Sequence, residues 1–316
     1  MKTRDGRGGS SGPWAIILAG GEGERTRPFI ERWLGYHKPK QYCTFAGNRS
    51  LFQQTVDRAD ALSRPGRRIA VVAREHALEA RAQLGDRHPG ILLAQPSNRG
   101  TAPGILLALA RVQAEDPNGI VIIYPSDHFV LPEDEFLATV RSAVAAAERH
   151  ADRLVIVGVE PEGPELDYGW VQPGRRLDLE EADLYEVSAF VEKPSAERSA
   201  AILALGGLWN SMVLVGRVAT FWSLAWRQIP EIMPFYTLLR EAVGRPAEAE
   251  TLNFIYEMMP GRDFSRHVLQ KAPGELAVLP LRDVLWSDWG RPERIADTLR
   301  AIGAQPAFSE EHLLVS

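Results

Sequence analysis

Cysteine is almost missing: Cys43 is the only one in 316 residues. An intrachain disulfide is therefore excluded, and the chain suits a reducing compartment. Long apolar runs are missing too, none approaching the ~18 residues that a membrane span needs. Positive charge is not in excess either, since 36 basic against 41 acidic side chains leave a net charge of −5. That balance excludes bulk electrostatic attachment to nucleic acid or to an anionic membrane, while leaving room for a local basic cleft. The 27 glycines and 22 prolines follow no short period, which excludes collagen-like and low-complexity organisation. Residues 1–12 are basic and Gly/Ser-rich with no apolar segment behind them. They read as a mobile tail, not as a signal or transit peptide. What remains is a cytoplasmic globular protein with an ordinary apolar core and neither a nucleic-acid nor a membrane partner.

What the chain does contain is an alternation of strand-like and helix-like segments in its first half. Trp14–Ala19 is a short apolar run stopped by Gly20-Gly21, which reads as a buried strand entering a loop. Further strands are expected at 68–73, 91–94, 120–124 and 154–159. Between them, helices are expected from a Ser50 cap to Leu62, from Thr101 with Pro103 in its first turn, and over 133–150. Such an order implies right-handed crossovers and a mostly parallel α/β sheet covered on both faces. Functional loops then belong at the carboxyl ends of the strands, after Ala19, Ala94 and Tyr124. The second half is less regular, with a hairpin near 169–177 and strands at 184–192, 212–216 and 275–279. Helices are expected there near 219–229, 235–243 and 251–258, and a final one at 291–302. No repeat or Gly/Ser/Pro-rich linker divides the chain. It reads as one domain over 13–290 with a short helical tail over 291–316.

The strongest local signal is Leu18-Ala-Gly-Gly-Glu-Gly-Glu-Arg-Thr-Arg-Pro28, directly after the first strand. Clustered glycines let backbone N–H groups approach a ligand, and Arg25 and Arg27 add fixed positive charge, which suits a polyphosphate. A dinucleotide G-x-G-x-x-G fails at Thr26, and the G-K-[ST] of a Walker loop is absent. Gly-Gly after a strand is also an ordinary tight turn, so the arginines and the later Pro39-Lys40-Gln41 carry the phosphate reading.

This loop together with Lys38-Pro-Lys-Gln41 resembles the signature of the sugar-1-phosphate nucleotidylyltransferases, and within them the mannose-1-phosphate guanylyltransferase branch. The resemblance extends in register through Pro96-Ser-Asn-Arg-Gly-Thr-Ala-Pro103, Tyr124-Pro-Ser-Asp-His128, Tyr168-Gly-Trp170, Phe190-Val-Glu-Lys-Pro194, Leu208-Trp-Asn-Ser211 and Trp286-Ser-Asp-Trp-Gly290. It implies a Rossmann-like nucleotide-diphospho-sugar transferase fold with inserted sugar-binding elements. It also implies Mg²⁺-dependent transfer of a nucleotidyl group from an NTP, GTP for that branch, to a sugar 1-phosphate such as mannose 1-phosphate, with release of pyrophosphate.

By the same resemblance, Asp127 and Asp288 hold Mg²⁺, Arg25 lies on the triphosphate, and Lys40 reaches the phosphates. Lys193 meets the sugar phosphate and Glu192 a sugar hydroxyl, with Asn210 and the backbone of Gly169 as further sugar contacts. Leu18, Ala19, Gly20, Gly21 and Gly23 form the nucleotide loop, and Gln95, Gly100 and Thr101 read the base. Both reactants are anions, so such a site works mainly by positioning and by cationic stabilisation. His128 reads as a structural neighbour, because phosphate oxygens need no base at neutral pH. Trp209, Trp286 and Trp289 are either core residues or walls of the sugar pocket. Trp222 and Trp226, one helical turn apart, read as a packing face or as the contact of a homodimer.

Three departures from the family pattern stand out. Glu24 replaces a small hydroxyl residue in the loop, and Arg99-Gly-Thr-Ala102 lacks an amide near the base. Ser211 has no following glycine, and Ser265-Arg-His-Val-Leu269 lacks an expected acid. They leave open a sister specificity (UTP or dTTP, glucose 1-phosphate) and a catalytically impaired nucleotide-sugar-binding regulator. The residues after 290 are too few for the extra isomerase domain that bifunctional members carry.

Overall fold

Trp14–Ala19 forms the expected first strand, β1, whose alternate side chains are buried on both faces of a sheet. The structure, a computed structural model, describes residues 12–177 and 183–313. Most of the expected mobile tail, residues 1–11, lies outside them. After β1 come α1 (Arg27–Leu34) and α2 (Leu51–Leu62), then β2 (Arg68–Ala73), α3 (Ala77–Leu84) and β3 (Ile91–Gln95). Then follow α4 (Thr101–Glu115), β4 (Ile120–Pro125), β5 (Phe129–Leu131), α5 (Glu133–Arg149) and β6 (Leu154–Val159). Ser50 caps α2 as its sequence predicts: its hydroxyl accepts from the Gln53 N–H, and the Gln53 side chain accepts from the Ser50 N–H, both at 3.1 Å.

The second half adds β7 (Gly169–Arg176), β8 (Tyr185–Glu192), α6 (Ala196–Ala204), β9 (Leu208–Arg217), α7 (Val218–Gln228), α8 (Met233–Ala242) and α9 (Glu248–Met258). It ends with α10 (Phe264–His267), β10 (Leu276–Leu281), β11 (Leu285–Ser287) and α11 (Pro292–Ala301). The strand at 212–216 is longer than its apolar run, because it starts at Leu208 and passes through polar Asn210 and Ser211. Helices α1, α3 and α6 were not anticipated: they are short, and each buries only two residues, too few to mark an apolar face.

Within the described residues the main sheet runs β3-β2-β1-β4-β9-β6-β10-β8-β7. The α/β class holds, and the parallel reading applies to β3-β2-β1-β4 and to the β6–β10 pair. Strand β9 runs antiparallel between β4 and β6, and β8 and β7 extend the sheet antiparallel. The chain moves outward from β1 to β3, then returns through α4 to place β4 on the other side of β1. That reversal opens a crevice beyond the carboxyl ends of β1 and β4.

Two apolar layers cover the sheet. One packs Ile16, Val71 and Ile123 against α4, α7, α8 and α9; the other packs Ile17, Val72 and Ile122 against α2, α3 and α5. A third cluster, outside the sheet, joins Phe29, Ile30 and Phe45 to Ile295, Leu299 and Phe308. Residues 292–308 are thereby packed against the segment that follows the glycine loop. Trp222 is buried with the Arg240 guanidinium 5.7 Å from its ring centre, while Trp226 is exposed.

Candidate active site

The loop after β1 is held by its carbonyls. The Gln41 amide donates to Ala19 O at 3.0 Å and Gly21 O at 2.8 Å, and the Tyr42 hydroxyl donates to Ala19 O at 3.1 Å. Across the crevice, the Ser126 hydroxyl and N–H both donate to Leu18 O, at 2.7 and 3.1 Å, locking the loop after β4 to β1. Between these loops lies a cavity of about 380 Å³ whose walls include Leu18, Gly20, Gly21, Gly23, Gln95, Gly100, Thr101 and Asp127. A second one of about 350 Å³ has Arg25, Lys40 and Asp127 in its wall. Of the expected nucleotide-loop residues only Ala19 is sealed away, and its carbonyl serves as an anchor.

Lys40 is almost fully buried, and its ammonium makes three contacts: Asp127 Oδ2 at 2.9 Å, Trp289 O at 3.2 Å, and Asp288 O. An ammonium has three protons to give, so all are used within the protein. Lys40 therefore joins the loop after β4 to the loop after β11, while also lying in the wall of the second cavity. Asp288 Oδ1 accepts from the Tyr168 hydroxyl, Arg294 Nη1 and the Gly290 N–H, each at 2.8 Å. Asp288 Oδ2 faces Arg25 Nη2 at 3.6 Å, and Arg25 Nη1 lies 3.1 Å from Asp167. The structure thus brings Arg25, Lys40, Asp127 and Asp288 together.

Electrostatics keep both carboxylates charged. Burial would raise Asp288, but Lys40, the Gly290 N–H and Arg294 outweigh it and bring it to about 2. Asp127 is held below the usual carboxylate range in the same way, by Lys40 and His128 acting against burial and against Asp288. His128 packs edge-on against Trp286 at 5.0 Å, and burial lowers its pKa. Among the described residues, neither Asp127 Oδ1 nor Asp288 Oδ2 accepts a hydrogen bond; His128 Nε2 and Arg25 Nη2 stand 3.6 Å from them. Such a pair fits a hard divalent cation that takes one or two carboxylates and completes its shell with phosphate and water. Glu24 is exposed, and Arg27 pairs with Glu31 at 2.8 Å instead of with it.

At the end expected to meet the base, Gly100 has φ +90°, and a Cβ there would run into the Arg262 carbonyl oxygen, so only glycine fits. The Ala102 N–H donates to Arg262 O at 3.1 Å, and the Thr101 hydroxyl to Asp263 at 3.1 Å. Gln95 is buried, and its Oε1 accepts from the Tyr256 hydroxyl at 3.1 Å. Asp263 supplies an acid just upstream of 265–269, where the sequence lacks one; Ser265 itself is buried against Met212 Sδ at 3.0 Å. Nothing in the chain's periodicity singled out Asp263.

The sugar-side residues gather on β7, β8 and β9. Gly169 pairs with Glu192 across the β7–β8 ladder, and a Cβ on it would lie 2.7 Å from Glu192 Oε2 and 3.3 Å from Asn210 Cβ. Asn210 Oδ1 accepts from the Met212 N–H at 3.0 Å. Lys193 is exposed, at φ +51°, with its N–H donating to Tyr168 O at 3.1 Å. Gly169, Glu192 and Asn210 are thus in one place with Lys193 on its rim, but none of them lines the two cavities above. Burial and the charge of Asp263 push Glu192 up to about 6, against Lys193 and Arg266. Trp209 and Trp286 pack on Tyr168 at 5.0 and 5.4 Å, while Trp289 stacks on Phe129 in the third cluster.

Tyr168 and Arg294 were missed as site residues. Tyr168 sits in a quoted motif, but its link to Asp288 spans 120 residues. Arg294 lies in α11, read only as a tail, and also pairs with Glu165.

A family model described as nucleotidyl transferase matches residues 14–305. The alginate biosynthesis protein AlgA of Pseudomonas aeruginosa is 27% identical over 288 residues, 89% of this chain and 57% of that protein. A mannose-1-phosphate guanylyltransferase of Escherichia coli is 29% identical over 88% of this chain and 58% of its own length. The chain therefore spans little more than half the length of these curated relatives. Among solved structures, one titled mannose-1-phosphate geranyltransferase from Thermus thermophilus overlays with a TM-score of 0.77 at 27% identity, covering 90% of this chain and 78% of that one. A UDP-glucose pyrophosphorylase in complex with UDP-glucose shares the fold alone, at 14% identity and a TM-score of 0.56 over 92% of this chain and 98% of that one. The fold is the Rossmann-like one of the nucleotide-diphospho-sugar transferases.

Proposed function

The chain belongs to the nucleotidyl transferase family, and we propose that it transfers a guanylyl group from GTP to mannose 1-phosphate, releasing pyrophosphate. The observation that carries this reading is the convergence of Arg25, Lys40, Asp127 and Asp288 beside the crevice between β1 and β4. The names of the relatives favour the guanine base and the mannose acceptor.

In this reading a phosphate oxygen of the sugar phosphate attacks the α-phosphorus of the nucleotide in line, and the β-phosphate oxygen leaves with pyrophosphate. No proton has to be removed from the nucleophile, so the protein's work is alignment and charge stabilisation. Gln95, Gly100 and Thr101 hold the base, and the loop from Leu18 to Gly23 lies along the phosphates. Arg25 places positive charge at the loop, and Lys193 meets the sugar phosphate. Glu192, Asn210 and the Gly169 backbone hold the sugar. Lys40 orients Asp127 and the Asp288–Trp289 backbone. Asp127 and Asp288 would hold Mg²⁺, which when bound supplies neutralisation of the charge on the phosphates.

Incubation of the purified protein with Mg²⁺ and a panel of NTPs and sugar 1-phosphates tests the reading. Pyrophosphate release is expected to be fastest with GTP and mannose 1-phosphate. Asp127→Ala is expected to lower kcat/KM on the order of 10³-fold. No turnover across the panel would falsify the proposal.

A further inference from the structure

Three side chains beside the glycine loop face one another at distances beyond hydrogen bonding. Glu22 stands in the glycine loop itself, His37 lies just before Lys38-Pro39-Lys40, and His76 closes the short turn between β2 and α3. Glu22 Oε2 is 3.8 Å from His37 Nε2 and 4.0 Å from His76 Nε2, and the three donor atoms all lie within 4.8 Å of one another. These separations are too long for hydrogen bonds. Among the described residues, both nitrogens of His37 and Nδ1 of His76 are buried with no hydrogen-bond partner. Buried imidazoles normally satisfy their nitrogens. The nearest cation on the same segment, Lys38, is engaged with Glu79 at 2.9 Å and leaves Glu22 to the two rings.

We propose that Glu22, His37 and His76 form a binding site for a divalent ion of the zinc class, distinct from the Mg²⁺ held by Asp127 and Asp288. Two imidazole nitrogens and one carboxylate are a zinc-type donor set with a fourth position left for water, whereas Mg²⁺ prefers oxygen donors alone. Tetrahedral zinc with bonds of about 2.0–2.1 Å sets its ligand atoms about 3.4 Å apart, so the two Glu22 edges of 3.8 and 4.0 Å need to shorten by only about 0.5 Å. Glu22 can supply that, because its side chain is about one-third exposed and, among the described residues, pairs with no other charged group. His76 is braced by the Tyr42 ring at 5.9 Å, on the same turn as Lys40. The ion would tie the glycine loop, the segment before Lys40 and the end of β2 into one unit.

The test uses the purified full chain, stripped with a chelator and titrated with Zn²⁺ or Co²⁺ by calorimetry and visible absorption. About one ion per chain is expected, with Co²⁺ giving the intense visible bands of a four-coordinate site. His37→Gln and His76→Gln, each checked for folding by circular dichroism, are expected to weaken binding at least tenfold, and Asp127→Asn to leave it unchanged. Histidine modification of the unmutated chain by diethyl pyrocarbonate gives a readout that needs no variant: Zn²⁺ is expected to protect His37 and His76. Absence of stoichiometric binding, protection of His128 instead, or binding lost with Asp127→Asn and kept with both histidine variants would overturn the proposal. None of these outcomes depends on whether the protein turns over GTP.

Discussion

Asp288 and Glu192 are both largely buried carboxyls, yet the two ends of the site treat them in opposite ways. Burial is the leading influence on each, and in each it favours the neutral acid. At Asp288 an ammonium, a backbone N–H and a guanidinium reverse that preference and bring the group to about 2. At Glu192 the nearest acid, Asp263, adds to burial, Lys193 and Arg266 do not offset them, and the group rises to about 6. The neighbouring charges thus decide the direction of the shift, and depth alone does not. The phosphate end is a rigid alternation of opposite charges, suited to anions. The end expected to meet the sugar is a wall of aromatic rings and ladder backbone around one carboxyl that takes up its proton already near pH 6.

This contrast can be broken from either side. The largest effect is expected for Arg294→Met, which removes a donor from Asp288 and frees Glu165. Activity in a pyrophosphate-release assay should fall about 10–100-fold, with the mannose 1-phosphate KM less affected than kcat. Next comes Gly169→Ala, whose new methyl would lie 2.7 Å from Glu192 Oε2. A KM for the sugar phosphate raised roughly tenfold, with kcat nearly kept, is the expected result in steady-state kinetics. An effect confined to kcat would place Gly169 with the phosphate end.

The smallest effect is a pH profile. In the proposed reading Glu192 accepts a sugar hydroxyl, best when ionised, so the KM for mannose 1-phosphate should rise a few-fold as the pH falls through about 6. Glu192→Gln should flatten that profile. For stability the sign is opposite, because the folded chain holds this proton more tightly than the unfolded chain. The contribution is full below the ordinary value of 4.5 and is lost as the pH rises through about 6. Denaturant titrations of wild type and Glu192→Gln across that window measure it.

The sequence made the first half of the sheet legible because apolar runs such as Trp14–Ala19 and Arg68–Ala73 are bounded by Gly, Pro or charge. The motif residues carried the site: Arg25, Lys40, Asp127 and Asp288 do meet. What stayed hidden depends on tertiary contact. Strand β9 contains Asn210 and Ser211, whose polarity is satisfied by the Met212 N–H and by Val157 O, so no alternation marked its start. Arg294 is one of two arginines in α11, and the packing of Ile295 and Leu299 on Phe29 and Phe45 turns it inward.

That packing has a consequence in time. Ala46 bridges to Pro306, and Trp33 donates to Ala307 O at 3.0 Å, contacts across more than 250 residues. Synthesis delivers β1 to β4 first, and the glycine loop and Asp127 with them. Lys40 has to wait for the Asp288 and Trp289 carbonyls, and Asp288 for Arg294. During synthesis the residues of the crevice therefore emerge long before the groups that balance their charges. Until the Asp288–Trp289 segment arrives, the Lys40 ammonium has only Asp127 of the three partners it finally holds.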